Sequence, residues 1–403
     1  MTQFDFTTVI DRKQKDALAI DSLGQGGNAP THPKEGFDFI PMWVADMNFA
    51  TAPSITKALQ ERIKHPLYGY FKPSKQYFQS IIDWHRIQHH VSDITSNEIG
   101  YENGVLGGVV SAIEAFSTSG DAVLLHSPTY IGFTKSIEKT GRKIIHSPLY
   151  QDGNGVWRMD YQDMDEKLKK YHIHIAVFCS PHNPCGRVWG KEEILKAMDV
   201  FRQNDCIVIS DEIWSDLILY DNIHIPTQSV SYDARNRTIA LYSPSKTFNL
   251  AGMIGSYHIV YHPYLKDRLR AQAEKTHYNN MNVLSMHALI GAYSEEGREW
   301  LHQLNHILGE NVSYVCRFIQ DQLKYVTCFQ PEATYMLFLD CSQYCEYFHV
   351  DVEELIQRGW DVGVGWQDGR KFHGKNHIRM NLALPFPCIV EACERLKTYV
   401  FVE

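Results

Sequence analysis

A lysine, a carboxylate and an amide each close an apolar run in this chain, and these three groups carry its first chemical signal. Lys246 lies in SPSKTFNLAG at the end of TIALYS (238–243), flanked by Ser243 and Ser245, which puts an amine close to hydroxyls suited to a phosphate. Asp211 ends CIVISDE, so a carboxylate stands where a buried strand meets a polar cleft. Asn183, in SPHNPCG after IAVFC, offers an amide donor at a third strand end. Each also has a local reading. A lysine commonly sits at the surface, an aspartate caps a helix and a Pro-His-Asn-Pro segment turns the chain.

The elements that must position these groups follow from the hydrophobic pattern. Short apolar runs at Ala122–Ser127, Ile175–Ser180, Cys206–Ser210 and Thr238–Ser243 read as buried parallel strands. Helical patterns alternate with them. In Lys191–Arg202, Ile194, Leu195 and Met198 share one face. Strand–helix alternation of this kind predicts an α/β fold with a mostly parallel sheet covered on both faces, in which ligands gather beyond the carboxyl ends of the strands. After about residue 280 the pattern changes to a long helix over 295–324, the strand TYMLFLD, a helix over 352–358 and HIRMNLALP, a smaller α+β unit. Gly24–Gly36 concentrates Gly and Pro and predicts an irregular amino-terminal arm.

Composition narrows the function classes. A chain of 403 residues, 44% hydrophobic, can bury one large core and a companion. Its formal net charge of -8 and dispersed basic residues argue against nucleic acid as a partner. No apolar stretch reaches the ~18 residues of a membrane helix and none at the amino terminus resembles a signal peptide, so no membrane partner and a cytoplasmic location are expected. Nine cysteines without a C-x-x-C pair read as reduced thiols. Twenty histidines include no H-E-x-x-H, so no metal is expected.

Asn-Pro at 183, Asp at 211 and S-x-S-K ending at 246, each closing a strand in that order, resemble the fold-type I pyridoxal-phosphate enzymes, the superfamily of the class I and II aminotransferases. The likeness runs from PMWVADMNFATAP near residue 41 to RMNLALP near residue 379. It implies an aspartate-aminotransferase-like fold: a large domain with a mostly parallel seven-stranded sheet plus a smaller α+β domain. The implied boundaries are an arm with part of the small domain over 1–50, a large cofactor-binding domain over 51–285 and a small carboxyl-terminal domain over 286–403. The resemblance also implies roles. Lys246 would hold pyridoxal phosphate as an internal Schiff base, Asp211 would keep its ring nitrogen protonated, and Asn183 would bond its phenolic oxygen. Tyr130 would stack on the ring, while Ser243, Ser245 and the Gly104–Leu106 backbone would cradle the phosphate. Tyr70 would reach the phosphate of a neighbouring subunit, implying a homodimer with shared active sites. Arg379 would grip the substrate's α-carboxylate, a task suited to a planar two-pronged donor.

Within the superfamily, PMWVADMNFATAP, SPHNPCGRVW, SDEIWSDLI and SPSKTFNLAGM are similar to the carbon–sulfur β-lyase branch that includes the cystathionine β-lyases. The implied reaction is β-elimination on a cysteine-type amino acid to give thiol, pyruvate and ammonia. Ile254 stands where many aminotransferases carry a phosphate-binding arginine, a departure this branch shares. Trp214 stands where relatives place tyrosine or histidine, and indole donates but cannot accept a hydrogen bond. The amino-terminal arm shows ALAIDSLGQGG where this branch usually has Lys-Trp-Asp wording. An aminotransferase on the same lysine and a regulatory binding protein on the same fold are the competing readings.

Overall fold

The computed structural model describes residues 3–276 and 279–402. Its main sheet has seven strands: β1 (Ile99–Glu102), β2 (Ala122–Ser127), β3 (Lys143–Pro148), β4 (Ile175–Cys179), β5 (Ile207–Asp211), β6 (Thr238–Tyr242) and β7 (Ser256–Ile259). They lie in the order β1-β7-β6-β5-β4-β2-β3, with β7 antiparallel to both neighbours and the remaining pairs parallel. β4 and β6 are buried at every position. Such continuous burial is what apolar runs without alternation require, because helices cover both faces. The expected strands therefore stand in one sheet, and their polar carboxyl ends share one edge.

The helices show why local sequence suffices for each. Helix α1 (Pro53–Ile63) begins with proline at its first position, where the missing N–H costs nothing. Helix α2 (Lys75–Gln88) is capped by Ser74, whose Oγ accepts from the Tyr77 amide at 3.1 Å. Helix α3 (Val105–Phe116) buries Val105, Gly108, Val109, Ala112 and Ile113 against the sheet, and α4 (Ile131–Lys139) follows β2. In α5 (Lys191–Gln203) the buried face is Ile194, Ala197, Met198 and Phe201. Leu195, expected on that face, is only half-buried, because one residue advances the helix by a quarter turn or more and turns it aside. Helix α6 is one turn, Pro244–Thr247, and α7 (Val283–Ala292) packs on α1.

Helix α8 (Glu295–Gln322) matches the expected long helix and is capped by Ser294. Trp300, Leu301, Leu304, Leu308, Val312, Val315 and Ile319 recur at helical spacing and are buried; each such side chain contributes roughly 1.5–3 kcal/mol by leaving water. The same helix touches both parts of the molecule. Its Trp300 stacks on Phe248 just beyond α6, and its Asn311 donates to the carbonyls of Leu382 and Leu384.

Those carbonyls follow the second sheet, whose strands β8 (Thr327–Cys328), β9 (Met336–Asp340), β10 (Gln367–Asp368) and β11 (His377–Asn381) are antiparallel in the order β8-β9-β11-β10. Along β11 the period of two sends Ile378 and Met380 into the apolar core and puts Arg379 and Asn381 on the opposite face. Residues 41–48 run beside that polar face. The Asn381 amide group donates to the carbonyls of Val44 and Asp46, and its backbone amide donates to Met42. Just upstream, Ile40–Pro41 pairs in parallel with Val364–Gly365 as a separate two-stranded sheet, which ties the end of the arm to the chain just before β10. The arm itself is mostly turns, with a short helix at Leu18–Asp21 that the sequence pattern did not indicate. Among the described residues, no helix is long and apolar enough to cross a membrane, and no group of three or more His, Cys, Asp or Glu could hold a metal ion.

Candidate active site

The carboxyl edge of the main sheet brings Lys246, Asp211, Asn183 and Tyr130 to one cleft, and β11 closes it with Arg379. Lys246 rides on α6, a half-buried side chain whose Nζ donates to the Ala45 carbonyl at 2.7 Å and lies 5.7 Å from the Trp214 ring centre. It is no surface lysine. Its ammonium is pushed down to about 8, chiefly by burial and then by Arg379, while Asp46 and Asp211 oppose the shift. A larger neutral fraction near physiological pH is the consequence.

Asp211 ends β5, buried, and no helix begins after it. The capping alternative therefore fails, although a local turn accounts for one oxygen: Oδ1 accepts from the Ile213 amide at 3.0 Å. Burial raises its carboxyl to about 7, with Glu212 adding and the Ile213 amide and Lys246 opposing. A cation placed against Asp211 would restore its ionised form.

Asn183 sits in a turn held by His182 and Arg187, which bond backbone to backbone at 2.8 Å. Arg187, the arginine of GRVW, is buried and pairs with Glu193 at 2.7 Å and with Glu332. That wording is thus an anchor for the Asn183 turn. The Asn183 Oδ1 accepts from Arg379 Nη1 at 3.2 Å, which leaves its amide N–H groups to donate elsewhere. Tyr130 packs edge-on against Phe133 with centroids 5.5 Å apart. A Cβ at residue 132 would stand 2.3 Å from the Tyr130 ring, so Gly132 makes the room for it. The Tyr130 hydroxyl is raised by burial and feels both Arg379 and Asp211.

Arg379 is buried, and burial lowers it to about 10. It donates to Asn183, to the Trp43 carbonyl at 3.3 Å and to Gln367 Oε1 at 2.5 Å, and its guanidinium lies 4.2 Å from the Phe372 ring centre. Its Nε has no partner among the described residues. None of its neutral acceptors balances its charge, and a buried guanidinium in that state favours an anion in the cleft.

At the phosphate end, Gly104 precedes α3 with φ +79, a left-handed conformation suited to glycine, and a Cβ there would meet nothing within 4 Å. The first-turn amides of α3, at Val105 and Leu106, lack intrahelical acceptors by construction and face outward. Ser243 caps α6 and donates to the Gly255 carbonyl at 2.6 Å, so its proton serves the turn; Ser245 lies 2.7 Å from it. Ile254, in the position where an arginine was absent from the sequence, is half exposed and left-handed at φ +46. Tyr70 is not brought into the cleft. It stands fully exposed on the loop between α1 and α2.

Pattern reasoning missed Ala45, Tyr335, Gln367 and Phe372. Ala45 acts through its carbonyl, which accepts from both Lys246 and the Tyr335 hydroxyl at 3.0 Å. Tyr335 was within reach of the pattern, since it immediately precedes the strand residues of TYMLFLD. Gln367 lies in the two-residue strand β10 and Phe372 in a short helical turn of four residues, segments too short for a period to mark a facing residue.

The donor set fits pyridoxal phosphate. One amine of lowered basicity, one carboxylate with a single partner, one amide with free N–H groups, an aromatic ring and an open helix start surround one cleft, and the orphaned Arg379 Nε lies beside them. Residues 38–396 match the family described as aminotransferase class I and II. The chain is 32% identical to cystathionine beta-lyase PatB of Bacillus subtilis, over 89% of this chain and 92% of that protein. It is similar to the crystal structure of cystalysin from Treponema denticola, which contains pyridoxal 5'-phosphate, with a TM-score of 0.90, 30% identity and 98% of each chain covered. It is also similar to the pyridoxal-phosphate-bound C-S lyase from Staphylococcus hominis, with a TM-score of 0.89, 27% identity and coverage of 100% and 99%.

Proposed function

Since the chain belongs to the class I and II aminotransferase family and its cofactor is pyridoxal 5'-phosphate, we propose that it is a carbon–sulfur β-lyase, cleaving cysteine-type substrates such as cystathionine, cysteine or S-conjugates. The observation that carries this reading is whole-chain similarity to carbon–sulfur lyases combined with a cleft that keeps the lysine, carboxylate and buried arginine such chemistry needs. When bound, the cofactor supplies an aldehyde for an amine and a protonated ring that stores the negative charge left at Cα.

The chain's own residues divide the remaining work. Arg379 holds the α-carboxylate through Nε and through the Nη2 donor that the 3.3 Å Trp43 contact gives up. Gln367 and Asn183 fix the guanidinium plane from the protein side. Lys246, whose basicity burial has lowered, accepts the Cα proton as a neutral amine. Asp211 holds a proton on the ring nitrogen, and Asn183 donates to the phenolic oxygen. Ser245 and the α3 amides at Val105 and Leu106 would hold the phosphate, with Tyr130 against the ring; the Gly104 amide is spent on the Glu102 carbonyl at 3.0 Å, and Gly104 serves by its backbone shape. The Cβ–S bond then breaks with its electron pair on sulfur, and the three-carbon remainder takes up water to give pyruvate and ammonia. Tyr70, exposed in one subunit, serves the phosphate of the other in a homodimer.

The test is product analysis. Purified protein incubated with L-cystathionine should release pyruvate and free thiol. An amino donor with 2-oxoglutarate should give little glutamate. Glutamate without pyruvate would assign the site to transamination instead.

A further inference from the structure

Behind the cleft, on the side facing away from the cofactor, a buried polar belt runs from Lys246 to Asp211. It begins at Thr247, whose Oγ1 donates to Asp216 Oδ2 at 2.9 Å. Asp216 Oδ1 accepts from the Trp84 indole at 3.0 Å and lies 3.1 Å from His89 Nε2. The His89 ring meets that of His224, with centroids 5.5 Å apart. His224 Nε2 is 2.8 Å from Glu212 Oε2, which also accepts from Tyr242 at 2.8 Å. Glu212 Oε1 takes the Ser210 hydroxyl at 2.9 Å and the Thr227 amide at 3.0 Å, and Glu212 is the chain neighbour of Asp211. Asp216, Thr247, His89, His224 and Glu212 are all buried.

This arrangement answers a mechanical problem. Lys246 rides on a helix of four residues, and so short a helix cannot hold its own geometry, since nucleation is costly and a single turn gains few bonds. Ser243 caps one end, and the Phe248 amide closes on the Pro244 carbonyl. Beyond the helix, Asn249 exchanges bonds with the Met47 backbone and Thr51 donates to the Phe248 carbonyl; within it, the side-chain anchor next to Lys246 on the protein side is Thr247. Asp216 is itself fixed from three directions: by Trp84 and His89 near the end of α2, and by Asn305 of α8, which donates to its carbonyl at 2.9 Å.

We propose that Asp216 is a positioning residue for Lys246, holding through the Thr247 hydroxyl the helical turn that aims the amine at the cofactor aldehyde. The belt beyond it, through His89, His224 and Glu212, sets the turn in register with the strand end that carries Asp211. Neither Asp216 nor Thr247 touches substrate or cofactor. Their effect is on where the amine stands, and it rests on the reading of Lys246 as the cofactor's attachment point.

The test compares Thr247→Val, which keeps the shape and removes the hydroxyl, with Thr247→Ser, which keeps the hydroxyl. Pyridoxal phosphate is added to each apoprotein, and formation of the borohydride-reducible linkage is timed. Thr247→Val is expected to form it about tenfold more slowly, and to lose about tenfold in kcat with KM within about twofold, the scale of one lost hydrogen bond to a buried carboxylate. Thr247→Ser is expected to recover both rates. If Thr247→Val lowers only the melting temperature while linkage rate and kcat match the parent, or if Thr247→Ser fails to recover them, the inference is overturned. Should Thr247→Val not fold, Thr247→Ala gives the same comparison. Lys246→Ala separates the two claims: a reducible linkage persisting in that variant would refute the attachment point itself.

Discussion

Replacing Arg379 by Lys tests the site's electrostatic logic because charge is kept and only geometry is lost. A guanidinium has five N–H donors, and three bonds are spent inside the protein, on Asn183, the Trp43 carbonyl and Gln367. Two remain, the partnerless Nε and one on Nη1; giving up the long 3.3 Å contact with the Trp43 carbonyl would free the Nη2 donor beside Nε for a two-pronged hold on an α-carboxylate. An ammonium reaching the same place offers a single direct bond, with its other donors drawn to the acceptors Arg379 leaves behind. One charge-assisted hydrogen bond is worth about 1.5–3 kcal/mol, and about 1.36 kcal/mol is a factor of ten. Arg379→Lys should therefore lower kcat/KM for L-cystathionine roughly 10- to 150-fold. Cofactor loading, read from the visible absorbance of the purified protein, should be unchanged, because Arg379 is assigned to substrate. Steady-state kinetics on the fully loaded variant measures the loss. A kcat/KM within about threefold of the parent, or a loss traced wholly to poor loading, would refute the assignment of this arginine to the carboxylate.

Two further outcomes follow from the same geometry. In the apoprotein Lys246 titrates at about 8 against an ordinary 10.5, so across that window the unfolded chain binds the additional proton and stability rises with pH. Denaturation of apoprotein and of Lys246→Met should show their stability difference shifting toward the parent over that range, and a flat difference would contradict the burial argument. Mixing Lys246→Ala with Tyr70→Ala after brief denaturation should regenerate activity in hybrid dimers that carry one intact site. Absence of any recovery in a refolded, cofactor-loaded mixture would place Tyr70 outside the neighbouring site.

The legible part of the site is the part built on β-strands buried on both faces. IAVFC, IVI and IALY are apolar runs that each end in a polar motif, SPHN, SDE and SPSK, which marks the place where the strand leaves the core. Those strand ends narrowed the search to a few residues each, and the joint resemblance of the three motifs to one superfamily singled out Asn183, Asp211 and Lys246. Arg379 came from the resemblance alone, and the structure supplies the reason it faces the site: HIRMN alternates, and an arginine between buried Ile378 and Met380 must face the other way. What escaped was whatever acts through backbone or from elements too short to show a period. The Ala45 carbonyl has no side-chain signature, and Gln367 and Phe372 face Arg379 from segments of two and four residues. The belt behind the cleft escaped too, because Asp216, Thr247 and His224 come from three separated stretches that only the fold brings together.

Trp214 illustrates how a departure in sequence is absorbed in space. Indole has no acceptor, and its ring lies buried under Lys246, edge-on to Tyr335 with centroids 4.8 Å apart. The aromatic hydroxyl nearest the lysine therefore comes from Tyr335, at the start of the small sheet. A carbonyl oxygen has two lone pairs, and those of Ala45 are filled by Lys246 Nζ at 2.7 Å and the Tyr335 hydroxyl at 3.0 Å. Ala45 in turn belongs to the segment that Asn381 of β11 holds through the Val44 and Asp46 carbonyls. The amine of the large sheet thus takes its bearing from a backbone oxygen fixed by the small one. A change in how the two sheets pack would therefore reach Lys246 through that oxygen, as it would reach Asn183 through Arg379 of β11.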